Sequence, residues 1–248
     1  MRRLWLASAA LWHREWIRFW REKARVAGYV GSPLIFWLVV GAGFGNLSFF
    51  FPGALVLTVM FSAVFSTMSI IEDRREGFLL SVLVSPAPRS AIVFGKAKGS
   101  ATLAWIQGMI FLAFAPLAGF HPSLLQLAAA AGAIFLLAFT FSLLGFWIAW
   151  QTESSQGFHA IMNLLLFPLW LVSGAVFSPA AAHSWVRALM AANPLTYGLA
   201  LLRRSLEAAP PAGTPAAALG LGVSLTMAAC LLAACLAVVR KPSRRNAA

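Results

Sequence analysis

The chain has 248 residues, of which 60% are hydrophobic and only 10% are charged, and its mean hydropathy is +0.81. A single water-soluble core cannot hide that much apolar surface, so the composition excludes a soluble globular domain. The net charge of +12 is weak evidence for nucleic-acid binding, because membrane proteins collect Lys and Arg on their cytoplasmic side. We therefore expect an all-α integral membrane protein, with lipid as its solvent and no nucleic-acid partner.

Two stripes of residues at helical spacing run along residues 1–25. The aromatic stripe holds Trp5, Trp12, Trp16 and Trp20, and the basic stripe holds Arg14, Arg18, Arg21 and Arg25. A helix of this kind lies in the membrane interface, with its rings at headgroup depth and its guanidinium groups toward anionic lipid. The pattern predicts an interfacial amphipathic helix over 1–25, with an ordinary soluble amphipathic helix as the alternative.

Long stretches free of formal charge follow this segment. Because about 20 apolar residues cross a bilayer, they predict six spans within one transmembrane domain, 26–240. The predicted spans lie at about 27–45, 52–71, 99–119, 124–150, 157–177 and 215–239. Segment 180–192, between the last two spans, is too short to cross and predicts an external re-entrant or surface helix.

The basic residues indicate the orientation of the chain. All but three of the 19 lie in the first 25 residues, in the loop 72–98 or after residue 239; the exceptions are Arg187, Arg203 and Arg204. The positive-inside rule then places both termini, the loop and the basic tail 241–248 in the cytoplasm. We expect a multi-pass protein of the cell (inner or plasma) membrane.

Catalytic and metal-binding patterns are missing from the sequence. The predicted spans contain no acid, the four His residues are scattered singly, and no phosphate-binding Gly-x-x-x-x-Gly-Lys-Ser/Thr motif occurs. We expect no metal site and no enzymatic activity. An ion-driven carrier usually keeps ionisable residues at membrane depth, so their absence favours a transporter powered by a separate ATPase. An ion-driven secondary carrier or a membrane scaffold protein is the alternative.

A few polar residues lie inside the predicted spans. We interpret Ser62, Ser66, Gln107, Asn163 and Phe167 as candidates for lining a translocation path. Hydrogen bonds between neighbouring helices are an equally good explanation for the polar members of this set.

The loop between the second and third predicted spans carries a distinctive pattern. Three acids and two arginines crowd into residues 72–76, and the short apolar segment 77–84 follows, closed by Ser85 and Pro86. A proline stops a continuing helix, so the pattern predicts a short cytoplasmic helix that another protein contacts. A simple positive-inside anchor is the alternative, but the clustered acids argue against it.

Several stretches in order along the chain resemble the ABC-2 type permeases. In the first half these are 51–55, 72–80, 83–86 and Gly95-Lys96; in the second half they are Pro168, 173–177, Trp185, 193–197 and Leu202-Arg203. Members of that family are six-span membrane subunits of ATP-binding cassette exporters. The resemblance covers nearly the whole chain, and the ordered set is more specific than any single stretch.

The resemblance implies roles and partners. Residues 1–25 are similar to the family's connecting helix, 77–84 to the coupling helix that docks on the ATPase, and 180–192 to external re-entrant helices that help close the outer exit. It implies a second permease copy, two ATP-binding subunits that bind ATP in place of this chain, and no cofactor bound directly. The implied ATPase-coupling residues are Glu72, Asp73, Arg74, Arg75, Glu76, Gly77, Phe78, Leu79, Val82, Leu83, Ser85 and Pro86. The implied external-gate residues are Ser173, Gly174, Phe177, Trp185, Asn193, Pro194 and Tyr197.

Overall fold

This computed structural model describes residues 2–21 and 23–240, and the side chains of all of these except residues 2, 23–27, 29 and 30. Within these ranges the regular structure is entirely helical, which confirms the all-α prediction. The helices are α1 (Arg2–Arg21), α2 (Lys23–Gly43), α3 (Leu47–Ser66), α4 (Ser69–Arg75), α5 (Phe78–Val84), α6 (Ser90–Leu112), α7 (Leu124–Gln151), α8 (Ser155–Trp170), α9 (Ser184–Ala192), α10 (Pro194–Leu206) and α11 (Ala217–Arg240). The predicted basic tail, 241–248, lies outside the described residues.

Helix α3 lies at the centre of the bundle and packs against α2, α6, α7, α8 and α10. It is apolar on all sides, as expected of a helix surrounded by other helices, and most of its residues are buried. One of its hydroxyls bonds within the helix: the Thr58 hydroxyl donates to the Ala54 carbonyl at 3.0 Å. Contacts with five other helices cover α3 and place it at the centre.

Four helical stretches are long and apolar enough to cross a membrane. They are Leu47–Arg75, Leu124–Gln151, Ser155–Ala175 and Ala217–Arg240, and they coincide with the second, fourth, fifth and sixth predicted spans. By length and composition the protein is therefore a multi-pass membrane protein. The predicted spans 27–45 and 99–119 fall on α2 and α6, which do not meet the same criterion within the described residues.

The structure moves several predicted boundaries. Helix α6 begins at Ser90 rather than near Gly99, so Lys96 and Lys98 lie inside it. The helix therefore extends beyond the predicted span 99–119, and Lys96 is buried rather than exposed to water. Helix α3 begins at Leu47, capped by Asn46, five residues before the predicted start.

The region between the fifth and sixth predicted spans contains two helices instead of one. Helix α9 corresponds to the predicted segment 180–192, and α10 follows it directly, although no helix was predicted there. One face of α10 is buried against α7 and α11, so it forms part of the bundle rather than a surface linker. Helix α10 carries two arginines, so it does not belong to the charge-free stretches from which the spans were predicted.

Close contact between α3 and α7 depends on Gly145. A Cβ atom at this position would lie 2.6 Å from the Thr67 hydroxyl oxygen and 3.0 Å from the Val64 Cα atom. Backbone atoms cannot yield as a flexible side chain can, so a larger residue would separate the two helices.

We expect Gly145→Ala to lower the free energy of unfolding by about 1–3 kcal/mol, the usual penalty for overpacking. Thermal unfolding of the purified protein in detergent measures this effect. The matched control is Gly132→Ala on the same helix, where an added Cβ meets nothing within 4 Å. If both substitutions left the melting temperature unchanged, the inferred close packing at Gly145 would be wrong.

Candidate functional site

Helix α1 lies along the first half of α6 and meets α4 and α5 at the same end of the bundle. The Trp12 indole donates a hydrogen bond to the Thr102 hydroxyl at 3.2 Å, and the Ser8 hydroxyl donates to the Ala91 carbonyl at 3.4 Å. We call this the charged end, because a buried cluster of Glu15, Asp73 and Lys96 joins α1, α4 and α6 there.

The Lys96 ammonium group is the centre of that cluster. Lys96 is only 1% exposed, and its amine bonds to the carboxylates of Glu15 and Asp73, which are also buried. A third bond, of 3.1 Å, joins the amine to the Ser69 hydroxyl. An isolated buried charge is very costly, so these partners are what allows a lysine inside the bundle. The cluster thereby fixes α1 and α4 to α6.

Two arginines of α1 reach the other carboxylate oxygen of Asp73. Arg14 lies 2.6 Å from the Asp73 carboxylate, and Arg18 lies 3.4 Å from it. Arg18 also pairs with Glu72 at 2.6 Å. The expectation that these two guanidinium groups turn toward anionic lipid was wrong, because both form ion pairs with carboxylates of α4.

Arg74 connects the charged end to α7. Its guanidinium donates to the carbonyls of Trp150 and Thr152, at 2.7 and 2.9 Å. Carbonyls in the last turn of a helix lack intrahelical donors, and an arginine satisfies them well. The charged loop therefore has fixed contacts with α1, α6 and α7 rather than hanging free.

Helix α5 starts at Gly77, where a φ of +76° lets the chain reverse direction after α4. The guanidinium carbon of Arg14 lies 3.7 Å from the centre of the Phe78 ring, which fixes the start of α5 against α1. Leu79 is buried, whereas Leu80 is 45% and Val84 is 85% exposed. Leu80 and Val84, four residues apart on α5, form an exposed apolar strip, and the exposed Glu76 lies in the turn that precedes this helix. We call these three residues the α5 face.

The proposed coupling residues are not equivalent. Arg75, Glu76 and Pro86 are exposed, and Asp73 and Leu79 are buried inside the protomer. The others are half-buried: Glu72, Arg74, Gly77, Phe78, Val82, Leu83 and Ser85. Burial leaves Leu79 unavailable to grip a partner. Sequence reasoning missed Leu80 and Val84, although their spacing of four residues within the short apolar segment is a usable signal.

Glu15 and Lys96 were also missing from the predicted site. The one acid of α1 and one of the two lysines of α6 lie 81 positions apart, and nothing in either local pattern connects them. Only the packing of α1 on α6 brings them together.

The candidate path residues separate into two groups. Ser62 and Gln107 are fully buried, and within the described part of the chain their side-chain polar atoms have no hydrogen-bond partner. Asn163 and Phe167 lie one turn apart on an exposed face of α8, and Ser66 is half-buried. The five residues therefore do not line one continuous path inside a protomer.

The candidate gate residues gather where α8 ends, at the opposite end of the bundle. Asn193 donates to the Leu169 carbonyl at 2.6 Å and caps α10, whose first residue is Pro194. Ser173 and Gly174 are buried in the π-helical segment Leu171–Ala175. Of the remaining members, Phe177 is half-buried, the Tyr197 hydroxyl donates to the Ala191 carbonyl at 2.8 Å, and Trp185 is 65% exposed on α9.

A known protein family matches most of this chain. The model of the ABC-2 type transporter family matches residues 7–206, which include the charged end, the α5 face and the break in α8. The chain belongs to the ABC-2 type transporter family. It is thus a membrane subunit of a transporter, and members of this family generally work with ATP-binding subunits.

Named relatives agree with this assignment. The chain is 27% identical over 204 residues to a putative transport permease, ycf38, of Cyanophora paradoxa, covering 77% of this chain and 70% of the relative. It is 25% identical over 220 residues to nodulation protein J of Rhizobium leguminosarum bv. viciae, covering 83% of each. The bv. trifolii protein of the same name is 27% identical over 212 residues, covering 78% and 79%.

We expect Lys96→Met to lower the free energy of unfolding by about 3–5 kcal/mol, because it leaves two buried carboxylates without their ammonium partner. Thermal unfolding in detergent reports this loss. The matched control is Lys98→Met, which removes the same charge from an exposed position two residues further along the same helix. Equal melting temperatures for the two variants would contradict the inferred cluster.

Proposed function

We propose that this chain is the permease subunit of an ABC exporter, working as two copies with two separate ATP-binding subunits. Both termini and the loop with α5 would lie in the cytoplasm of a cell that carries the protein in its inner or plasma membrane. ATP would be bound and hydrolysed by the partner, since this chain has no phosphate-binding loop of its own.

The observation that carries this proposal is the α5 face. A strip of two exposed apolar side chains beside a carboxylate is a surface suited to a protein partner, with apolar grip and an orienting charge. The helix behind it is fixed to the bundle through Phe78 and Arg14, and Arg14 in turn reaches Asp73 in the buried cluster. A displacement of α5 by a closing ATPase would therefore pass directly to α1, α4 and α6.

Packing supports six spans, although within the described residues only four helical stretches meet the simple length and apolarity criterion. Helices α2 and α3 are joined by the short turn 44–46 and contact one another, so they run antiparallel as neighbours. Helix α6 packs between α3 and α7, which are both long apolar helices. Since the carboxylates neutralise Lys96, its charge does not prevent the rest of α6 from entering the hydrocarbon layer.

The exposed surface of α8 supports the proposal of a translocation path between two copies. Only a narrow stripe of this helix is buried in the protomer, at Phe158, Met162, Leu166 and Trp170. Its exposed side carries Asn163 and Phe167, and an amide facing lipid is costly. A second copy or a translocation path would give Asn163 a polar neighbour. Ser62 and Gln107, buried among the helices of one protomer, are better placed for interhelical contacts.

Gentle solubilisation from the native membrane, followed by identification of co-purifying proteins, tests the proposal. Recovery of a P-loop ATPase at equal stoichiometry, with ATP hydrolysis in the complex, is the expected result. Recovery of the permease alone, even after crosslinking, together with transport driven by an ion gradient would instead support a secondary carrier.

We expect Val84→Asp to weaken ATPase binding about thirtyfold, the equivalent of about 2 kcal/mol for a central apolar contact at an interface. Glu76→Lys should weaken it as well, by reversing the orienting charge. Affinity of the ATPase for the permease in nanodiscs measures both effects.

The control is Pro88→Asp, which adds the same charge at an exposed position of the same loop beyond α5. Its ATPase affinity should match that of the unmodified protein. Unchanged affinity in Val84→Asp and Glu76→Lys would remove the α5 face from the proposed interface.

A further inference from the structure

The α-helical hydrogen bonding of α8 ends at Trp170 and gives way to the π-helical segment Leu171–Ala175, where the chain meets α3 and α10. Val172 and Gly174 have non-helical backbone angles, so carbonyls in this stretch need other donors. Asn193 supplies one for Leu169, as described above. The Trp170 indole in turn donates to the Gly53 carbonyl at 2.8 Å, which ties α8 to α3.

Arg203 of α10 supplies the remaining connection. Its side chain is almost fully buried, and one terminal nitrogen donates to the Gly174 carbonyl at 3.1 Å and to the Phe49 carbonyl at 3.2 Å. The other donates to Glu207, one turn further along the chain, at 3.0 Å. The guanidinium carbon also lies 4.5 Å from the centre of the Phe49 ring. One side chain therefore joins α10, the broken end of α8 and the start of α3.

This arrangement suits arginine in particular. A planar guanidinium presents several donors in a fixed fork and can satisfy acceptors on three separate segments at once. Among the described residues, Glu207 is the acid that balances its charge. Burial raises the pKa of the Glu207 carboxyl, while the charge of Arg203 acts in the opposite direction. Two of the three acceptors are neutral carbonyls, so the contacts can separate without stranding a second buried charge.

Open space borders the same group. A groove of about 700 Å³ is lined by Arg203 and Glu207 together with Asn46, Phe49 and Phe120 among others. Packing on that side of Arg203 is therefore incomplete, in contrast to the close packing of α3 and α7 around Gly145. Loose packing on one side gives α10 room to shift relative to α8.

We propose that Arg203 is a positioning residue that latches the outer exit shut by clamping α10 to the broken end of α8 and the start of α3. The assignment of this end as the exit depends on the proposed exporter function. Opening would require the guanidinium to release the carbonyls of Gly174 and Phe49. Ser173, which is 1% exposed beside this contact, would then become accessible to water.

Thiol labelling tests the latch in the purified permease in nanodiscs. The two native cysteines are first replaced, as Cys230→Ala and Cys235→Ala, and Ser173→Cys is introduced as the reporter. We expect Arg203→Gln to raise the rate of maleimide labelling at position 173 at least about tenfold, because the segment opens locally without global unfolding. Arg203→Lys, which keeps the charge but cannot reach all three acceptors, should give a smaller rise in the same direction. The Arg203→Lys variant can also replace Arg203→Gln in this test if the latter cannot be purified.

Ser62→Cys, fully buried in α3, is the matched control for loss of the fold. Selective labelling at 173 supports the latch. No increase at 173, or an equal increase at 62 and 173, overturns it, because Arg203 would then have no role at the exit or only a general structural one.

Repeating the labelling with the partner ATPase and ATP separates this inference from the proposed function. If ATP raises labelling at 173 in the protein with Arg203 intact, both the latch and the proposed ATP-driven opening are supported. If ATP has no effect while Arg203→Gln still raises labelling selectively, the latch stands and ATP-driven opening of this end is wrong.

Discussion

The ammonium group of Lys96, enclosed by the carboxylates of Glu15 and Asp73, determines the arrangement of the charged end. Three helices contribute to it, and none of them could bury its own charged residue alone without a large desolvation cost. The remaining acids and arginines of the loop then have little freedom, because Asp73 also attracts Arg14 and Arg18. These ion pairs fix the helices behind the α5 face. Such rigidity suits the docking of an ATPase that we propose for this surface.

The opposite end is held together by different chemistry. There the acceptors are mostly backbone carbonyls, some at the end of α8 and some on α3, and the donors are the side chains of Asn193, Arg203 and Trp170. Hydrogen bonds to neutral carbonyls are weaker than paired buried charges and can be exchanged for water at lower cost. A transporter that must open one end while force enters at the other would benefit from this difference.

Between the two ends the bundle is held by apolar packing and close backbone contacts, as at Gly145. The buried hydroxyl of Ser62 and the amide of Gln107 lie in this region among the helices of one protomer. Asn163, by contrast, lies on the bare side of α8. These three polar residues thus have different surroundings, and of the three only Asn163 would be available to the second copy that we propose.

The sequence by itself determined the class of protein, the approximate position of four long apolar helices and the presence of a short helix after the acidic cluster. These features depend on local properties, namely hydropathy over about 20 residues and a proline or glycine at a helix end. Only the tertiary structure showed that Lys96 lies inside a helix, that Arg14 and Arg18 face acids rather than lipid, and that Arg203 joins three segments. These contacts join residues far apart in the chain, and a charged residue carries no local sign of whether water, lipid or a distant counter-charge will surround it.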